Sequence, residues 1–594
     1  MEMNSNRRNQ TISSAIWAAY GDSLGFQTEL VDEGGVKRRT GNSKVTKTVT
    51  WSRLVGGKFG ANVELPAGSY SDDTQLRLCT SRSITGDGYF DVEAFAKIEL
   101  PIWLNYALGA GRGSKVGADA LSRRGTAWFA NFFDQAGTRY VDGGGNGAAM
   151  RIQPHVWAAK NLDDHQEYLT SIVKNALCTH GHPRGIAGAV LHAVALAGIL
   201  STNRSYEPNE WASLSDFSEM VPQIIANDSE LQAFWLPTWQ NTVGKSFEAE
   251  MRRVSNEWKA DVATCLPLLN LRPIQAYTQV LTTLGGLDAK QRGSGIKCAL
   301  FAMVAAWLFQ DSHPDDALLV VANSLGSDTD TIGTMAGALI GALKPETLLT
   351  GSLQDQKYIE AEAARIFAVS QERKTTSFMY PDLLTWQTPK SLLDVVGTVD
   401  EAIAISGISF VEISSESFPG GTAGSIWQWL DTSFGQRMLC KRRIELKPLA
   451  QNSLPATDDG LPLEHLPRPK TRSPTAANVT SEMGELFPST VAQSREAIGM
   501  RDLDTRRQGQ ATIGSHSVGN APRQNMKLRL DAGATPSVND LTDEAIRSNF
   551  EPAVIGKHLL KFAEQPSGIE LAIAYSAIIL KARQARLNRD RKVE

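Results

Sequence analysis

The chain has 594 residues, 42% of them apolar and 21% charged, and a net charge of −4. Such a length exceeds what one core holds, the composition is that of a globular protein, and the near-balanced charge excludes a general attraction to nucleic acid or membrane. Five scattered cysteines, Cys79, Cys178, Cys265, Cys298 and Cys440, include no C-x-x-C pair, which argues against a structural zinc site and for a reducing compartment.

In chain order, the N-terminus MEMNSNRRNQ is polar, so a secretory signal is not expected and the protein reads as cytoplasmic. Ile12, Ala15, Ile16 and Ala19 then follow an i, i+3, i+4, i+7 spacing that runs into Gly21-Asp22-Ser23-Leu24-Gly25. This pentapeptide has the spacing of a nucleophile elbow, but an elbow needs a strand before the serine, and here a helix precedes it. None of the nine histidines has an aspartate three residues before it, so the partner histidine of a GDSL-type esterase is also missing.

Two later stretches, Ser71-Asp72-Asp73-Thr74 and Ser327-Asp328-Thr329-Asp330-Thr331, set carboxylates beside hydroxyls. That donor set suits hard cations such as Mg²⁺ or Mn²⁺. Each stretch is equally what a helix N-cap with an acidic first turn looks like. Between them, Gly143-Gly144-Gly145-Asn146-Gly147 is a glycine-rich turn with no strand ahead of it, unlike a dinucleotide fingerprint. Thr179-His180-Gly181-His182 opens the apolar run Gly185–Leu200, which with Cys298–Phe309 reads as buried helix, too short to span a membrane. Residues 36–62 and 205–258 are insertions. The second carries Trp211, Trp235, Trp239 and Trp258, which read as a small helical core in preference to a wall for adenine or a protein substrate.

Residues 384–445 are of mixed character, with a strand-like Ile408–Ile413. Between Lys447 and Asp540, nine prolines and one aromatic, Phe487, leave too little apolar surface to offset chain entropy, which predicts a disordered linker. Leu541–Gln565 and Ile569–Asn588 then predict a helical pair broken at Pro566-Ser567-Gly568, and the basic run from Lys581 to Lys592 reads as a solvated helical face. The expected division is an all-α domain over residues 1–370, a small α/β extension over 371–446, the linker over 447–540 and the C-terminal helical pair over 541–594.

The ordered series GDSLGFQTE, SYSDDTQLRL, GGGNGAAMR, THGHPRGIAGAVLHA and NSLGSDTDTIGTMAGALIGA resembles the ADP-ribosylglycohydrolase family, which includes the dinitrogenase reductase-activating glycohydrolase. The resemblance covers roughly residues 10–370. It implies an all-α fold with two Mg²⁺ or Mn²⁺ ions held by Ser71, Asp72, Asp73, Asp328, Asp330 and Thr331. Serine at 71 stands where the family usually has threonine, which keeps the hydroxyl. Glu29 is implied as a catalytic or gating acid, with Asp22 supporting the metal cluster from nearby. Gly145, Asn146, Gly147 and His180 are implied as substrate contacts. The implied reaction is hydrolysis of the bond from ribose C1 to an ADP-ribosylated protein or nucleic acid, with release of ADP-ribose. A non-catalytic ADP-ribose-binding or immunity module, and a hydrolase of another ribosyl metabolite, stand as alternatives. The C-terminal helices are expected to bind a partner or self-associate.

Overall fold

The computed structural model describes residues 2–109, 111–135, 137–455, 538–564 and 568–593. Residues 456–537, most of the expected linker, lie outside the described residues. The body is helical, as the resemblance implies. Its axis is a helix pair, Glu2–Phe26 and Thr329–Leu343, joined backbone to backbone. A Cβ on Gly21 would lie 2.2 Å from the Gly333 carbonyl oxygen, and one on Gly25 would lie 2.2 Å from that of Thr329. Small residues recur along one stripe of each helix, so the axes approach more closely than branched side chains would permit. Pro183–Thr202 and Gly295–Leu308 pack around this pair. Pro183–Thr202 is longer than the apolar run suggests and is apolar enough to cross a membrane by composition; its most apolar window is 83% buried inside the protein.

The first insertion folds as a hairpin of β1 (Trp51–Val55) and β2 (Ala61–Leu65), paired antiparallel with Trp51 opposite Leu65. A two-residue pair follows, β3 (Asp134–Gln135) and β4 (Thr138–Arg139). In the second insertion Trp211, Trp235, Trp239 and Trp258 are all buried. Trp235 and Trp239 stack with centroids 6.2 Å apart and Phe247 is set edge-on against both, which makes the helical core that the sequence favoured.

The extension is a six-stranded antiparallel sheet rather than an α/β unit. Its strands are β5 (Val396–Val399), β6 (Ala402–Ile405), β7 (Ser409–Ile413), β8 (Phe418–Pro419), β9 (Ser425–Thr432) and β10 (Arg437–Arg443). The order is β10-β9-β7-β6-β5, with β8 on β9. Residues at the expected start of the linker run along β5 instead: Thr398 N–H donates to the Lys447 carbonyl at 3.0 Å and Leu449 N–H to that of Thr398 at 2.9 Å.

The sheet is clamped to the helical body by a buried ion pair. Arg82 donates to Glu99 at 2.7 and 2.8 Å, and to Gln436 at 2.7 Å; Tyr380 O–H donates to Glu99 at 2.7 Å. The C-terminal segment has three helices, Val538–Arg547, Pro552–Ala563 and Gly568–Val593, because the first expected helix is broken where Asn549 and Phe550 take φ of 55° and 62°. They close on a core of Leu541, Phe550, Phe562, Tyr575 and Ile579 and dock on the body through Arg124–Asp543 and through Lys581 with Glu93 and Glu230.

Candidate active site

The Gly-Asp-Ser-Leu-Gly question resolves inside the first helix. Ser23 is buried, with its hydroxyl 2.9 Å from the carbonyl oxygens of both Ala19 and Gly68, so its hydrogen-bonding capacity is used by the backbone. One turn face away, Asp22 accepts from Ser71 N–H, Thr74 N–H and the Thr74 hydroxyl at 2.9, 2.9 and 2.5 Å. It therefore holds the N-terminus of the helix Asp72–Arg82, whose orphan N–H groups favour a carboxylate.

Ser71 is the N-cap of that helix: its oxygen accepts from Asp73 N–H at 3.2 Å and its hydroxyl donates to Asp73 Oδ2 at 2.9 Å. Capping and the implied ligand role thus fall on one hydroxyl. Asp73 Oδ1 is buried with no hydrogen-bond partner. Asp72 is held at its backbone by the Leu108 carbonyl at 2.8 Å. From the opposite helix, Asp328 accepts from Asn146 Nδ2 at 2.9 Å, while Asp330 and Thr331 are buried in the first turn of Thr329–Leu343.

These carboxylates lie within charge range of one another. Burial, then the charges of Asp22, Asp72 and Asp328, hold the Asp73 carboxyl well above the usual range. Burial and the charges of Glu29, Asp73 and Asp328 do the same to Asp330. An orphaned, buried carboxylate oxygen among mutually repelling acids is a poor arrangement by itself and a good one around a hard cation. Among the described residues no three His, Cys, Asp or Glu side chains converge tightly enough, as they stand, to grip an ion. The donor chemistry fits the implied Mg²⁺ or Mn²⁺.

The remaining expected residues line the same place. The loop Gly143–Gly147 rests on the segment before Gly295–Leu308, with Gly145 bridged to Ser294. A Cβ on Gly147 would lie 2.9 Å from the His180 ring, so loop and histidine are in direct contact. His180 is buried and bonded through Nδ1 to the Thr179 hydroxyl at 2.8 Å; burial pushes its pKa down to about 3, so it is neutral at physiological pH. His182 instead caps Pro183–Thr202, accepting from Arg184 N–H at 3.1 Å, and Arg184 pairs with Glu257 at 2.8 Å. The buried tryptophans support this wall: Trp239 donates to the Gly181 carbonyl at 2.6 Å.

Glu29 sits at the rim, where its Oε2 accepts from Arg53 Nη1 at 3.2 Å, and it is the leading charge influence on Asp330. Sequence reasoning missed Arg53, and also Arg77, which bonds Thr74 and Thr334 at 2.8 and 2.6 Å and faces Asp22 and Asp73 as a counter-charge. Arg77 was findable, four residues after Asp73 on one helix face; Arg53 lies on another element and left no local signal.

Every side chain of this site lies within residues 3–376, over which the chain matches the ADP-ribosylglycohydrolase family, and the chain belongs to that family of hydrolases. It is similar to the ADP-ribosylhydrolase ARH3 of Danio rerio, at 26% identity over 291 residues that cover 46% of this chain and 69% of that protein. It is also similar to the ADP-ribosyl-[dinitrogen reductase] glycohydrolase of Rhodospirillum rubrum, at 26% over 176 residues, covering 29% of this chain and 52% of that one. A solved ADP-ribosylglycohydrolase-related protein complex aligns at 18% identity with a TM-score of 0.38, covering 62% of this chain and 99% of its own.

Proposed function

We propose that the protein is a metal-dependent hydrolase that cleaves the ribose C1 glycosidic bond of an ADP-ribosylated protein and releases ADP-ribose in the cytoplasm. The observation that carries this reading is the buried Asp73 Oδ1 without a hydrogen-bond partner, within charge range of Asp72, Asp328 and Asp330. Ser71, Asp72, Asp73, Asp328, Asp330 and Thr331 are the residues that would hold two Mg²⁺ or Mn²⁺ ions. Once bound there, such ions supply positive charge for the ribose hydroxyls and for a water.

The chain's own residues do the rest. Asp22 fixes the acidic helix, and Asn146 fixes the Asp328 carboxylate. The glycine-rich loop lets backbone N–H groups approach the diphosphate, beside a neutral His180 that can donate or accept at the ribose without adding charge. Glu29, beside Asp330, is the acid that moves the proton between water and the departing nitrogen or oxygen, in a reaction with an oxocarbenium-like transition state.

The test is release of ADP-ribose from arginine-, serine- and nucleic-acid-linked substrates, with Mg²⁺, Mn²⁺ or EDTA. Release from a protein-linked substrate that EDTA abolishes is the expected result; EDTA-insensitive release would overturn the metal dependence.

A further inference from the structure

The β1–β2 hairpin brings a cation to Glu29 and is itself held by a part of the chain outside the family match, which ends at residue 376. Arg53 lies on β1, is 22% exposed, and stacks its guanidinium 4.7 Å over the Phe26 ring while bonding Glu29 Oε2 at 3.2 Å. Phe26 meets Trp51 edge-on at 5.3 Å, and Arg39 lies 4.9 Å over Trp51 while donating to the Glu29 carbonyl at 3.0 Å. Glu29 is thus gripped at both its backbone and its carboxylate by two stacked arginines.

Behind the hairpin stands the C-terminal sheet. Trp427 and Trp429 of β9 join Phe26, Trp51, Val55, Val63 and Leu65 in one core. Three contacts fix this junction. Trp427 lies so close to Gly56 that a Cβ there would be 2.6 Å from its ring. Trp429 Nε1 donates to the Glu64 carbonyl at 3.2 Å, and Gly421 N–H reaches the carbonyls of Phe59 and Gly60 at 3.1 Å.

We propose that Arg53 is a positioning residue for Glu29, and that the sheet of residues 396–443 sets its position through Trp427, so that the extension is a structural part of the active site. The inference rests on the reading of Glu29 as the reaction's acid, and its test separates the two. In the full chain, Arg53→Gln is expected to lower kcat about 10- to 100-fold, the scale of a misplaced catalytic group, with KM little changed. Arg53→Lys restores most of the loss. In a Glu29→Gln background Arg53→Gln costs nothing further, because the two act as one unit. Trp427→Ala lowers kcat in the same way.

Amide exchange read on the same variants does not depend on turnover. Both Arg53→Gln and Trp427→Ala should speed exchange over residues 28–31 by about tenfold or more, through local opening of a loop that has lost its anchor. Unchanged exchange at 28–31 in both variants, or full additivity with Glu29→Gln, overturns the proposal. A wild-type chain silent on every ADP-ribosylated substrate overturns the functional reading alone, and the exchange data then decide whether the sheet holds Glu29.

Discussion

The backbone-to-backbone approach of Gly25 to Thr329 also sets the register of the site, which Gly25→Ala tests. A methyl group there would meet the Thr329 carbonyl oxygen at 2.2 Å and the Asp330 Cα at 2.5 Å, against ordinary contact beginning at 3.4 Å. The helices must part by more than an ångström exactly where Asp328, Asp330 and Thr331 begin. Overpacking of this kind costs about 1–3 kcal/mol, and replacing a helical glycine returns about 1 kcal/mol of that. Stability should therefore fall modestly. The catalytic effect should be much larger, about 100-fold in kcat, because an ångström of misplacement is enough. Gly341→Ala is the control: on the partner helix Thr329–Leu343, its methyl would press the Ser13 carbonyl oxygen at 2.6 Å, but three turns from Asp330. Denaturant melts and steady-state ADP-ribose release, measured on both, distinguish spacing at the site from stability in general. Equal losses of kcat in the two variants, or none in Gly25→Ala, would refute the reasoning.

The other predictions concern charge. Mg²⁺ or Mn²⁺ at 100 times its Kd should stabilise the fold by about 2.7 kcal/mol by linkage, read as a rise in Tm; Asp73→Asn should remove that increment without lowering the metal-free Tm. Glu99→Gln, which strands the buried Arg82 guanidinium, should cost about 3–5 kcal/mol in a denaturant melt, and a chain ending at Ser370, which lacks Tyr380 and Gln436, should not fold stably. Burial pushes His192 down to about 3, so the folded chain keeps it neutral while the unfolded chain takes up a proton near 6.5. Its contribution is complete above pH 6.5 and is lost as pH falls toward 3. His192→Gln should flatten the pH dependence of stability over that window by about 1.4 kcal/mol per pH unit.

The carboxylates of the site were legible because each acidic stretch opens a helix, and capping chemistry and ligand chemistry ask for the same residues at the same spacing. The buried tryptophans of the second insertion were legible from their density alone. The hairpin was not read, although Ala61–Leu65 alternates strictly between buried and exposed, because its connection is five residues long, Gly56–Gly60, and not the two-residue turn that gives the strongest hairpin signal. The extension looked mixed because β9 is buried on both faces, so it runs apolar without the alternation that marks a half-exposed strand. What no local pattern carries is pairing between distant elements: Arg53 with Glu29, and Arg82 with Glu99 and Gln436.

The docking of the last three helices on the body means that the two ends of a long connection meet on one surface. Lys581 bridges Glu93 and Glu230 and lies over Phe129, Arg124 reaches Asp543, and Leu384 packs into the helices' own core. A cut anywhere in residues 456–537 therefore divides the covalent chain without dividing these contacts. Separate polypeptides of residues 1–455 and 538–594 are expected to associate on mixing through these contacts, which co-elution in gel filtration checks.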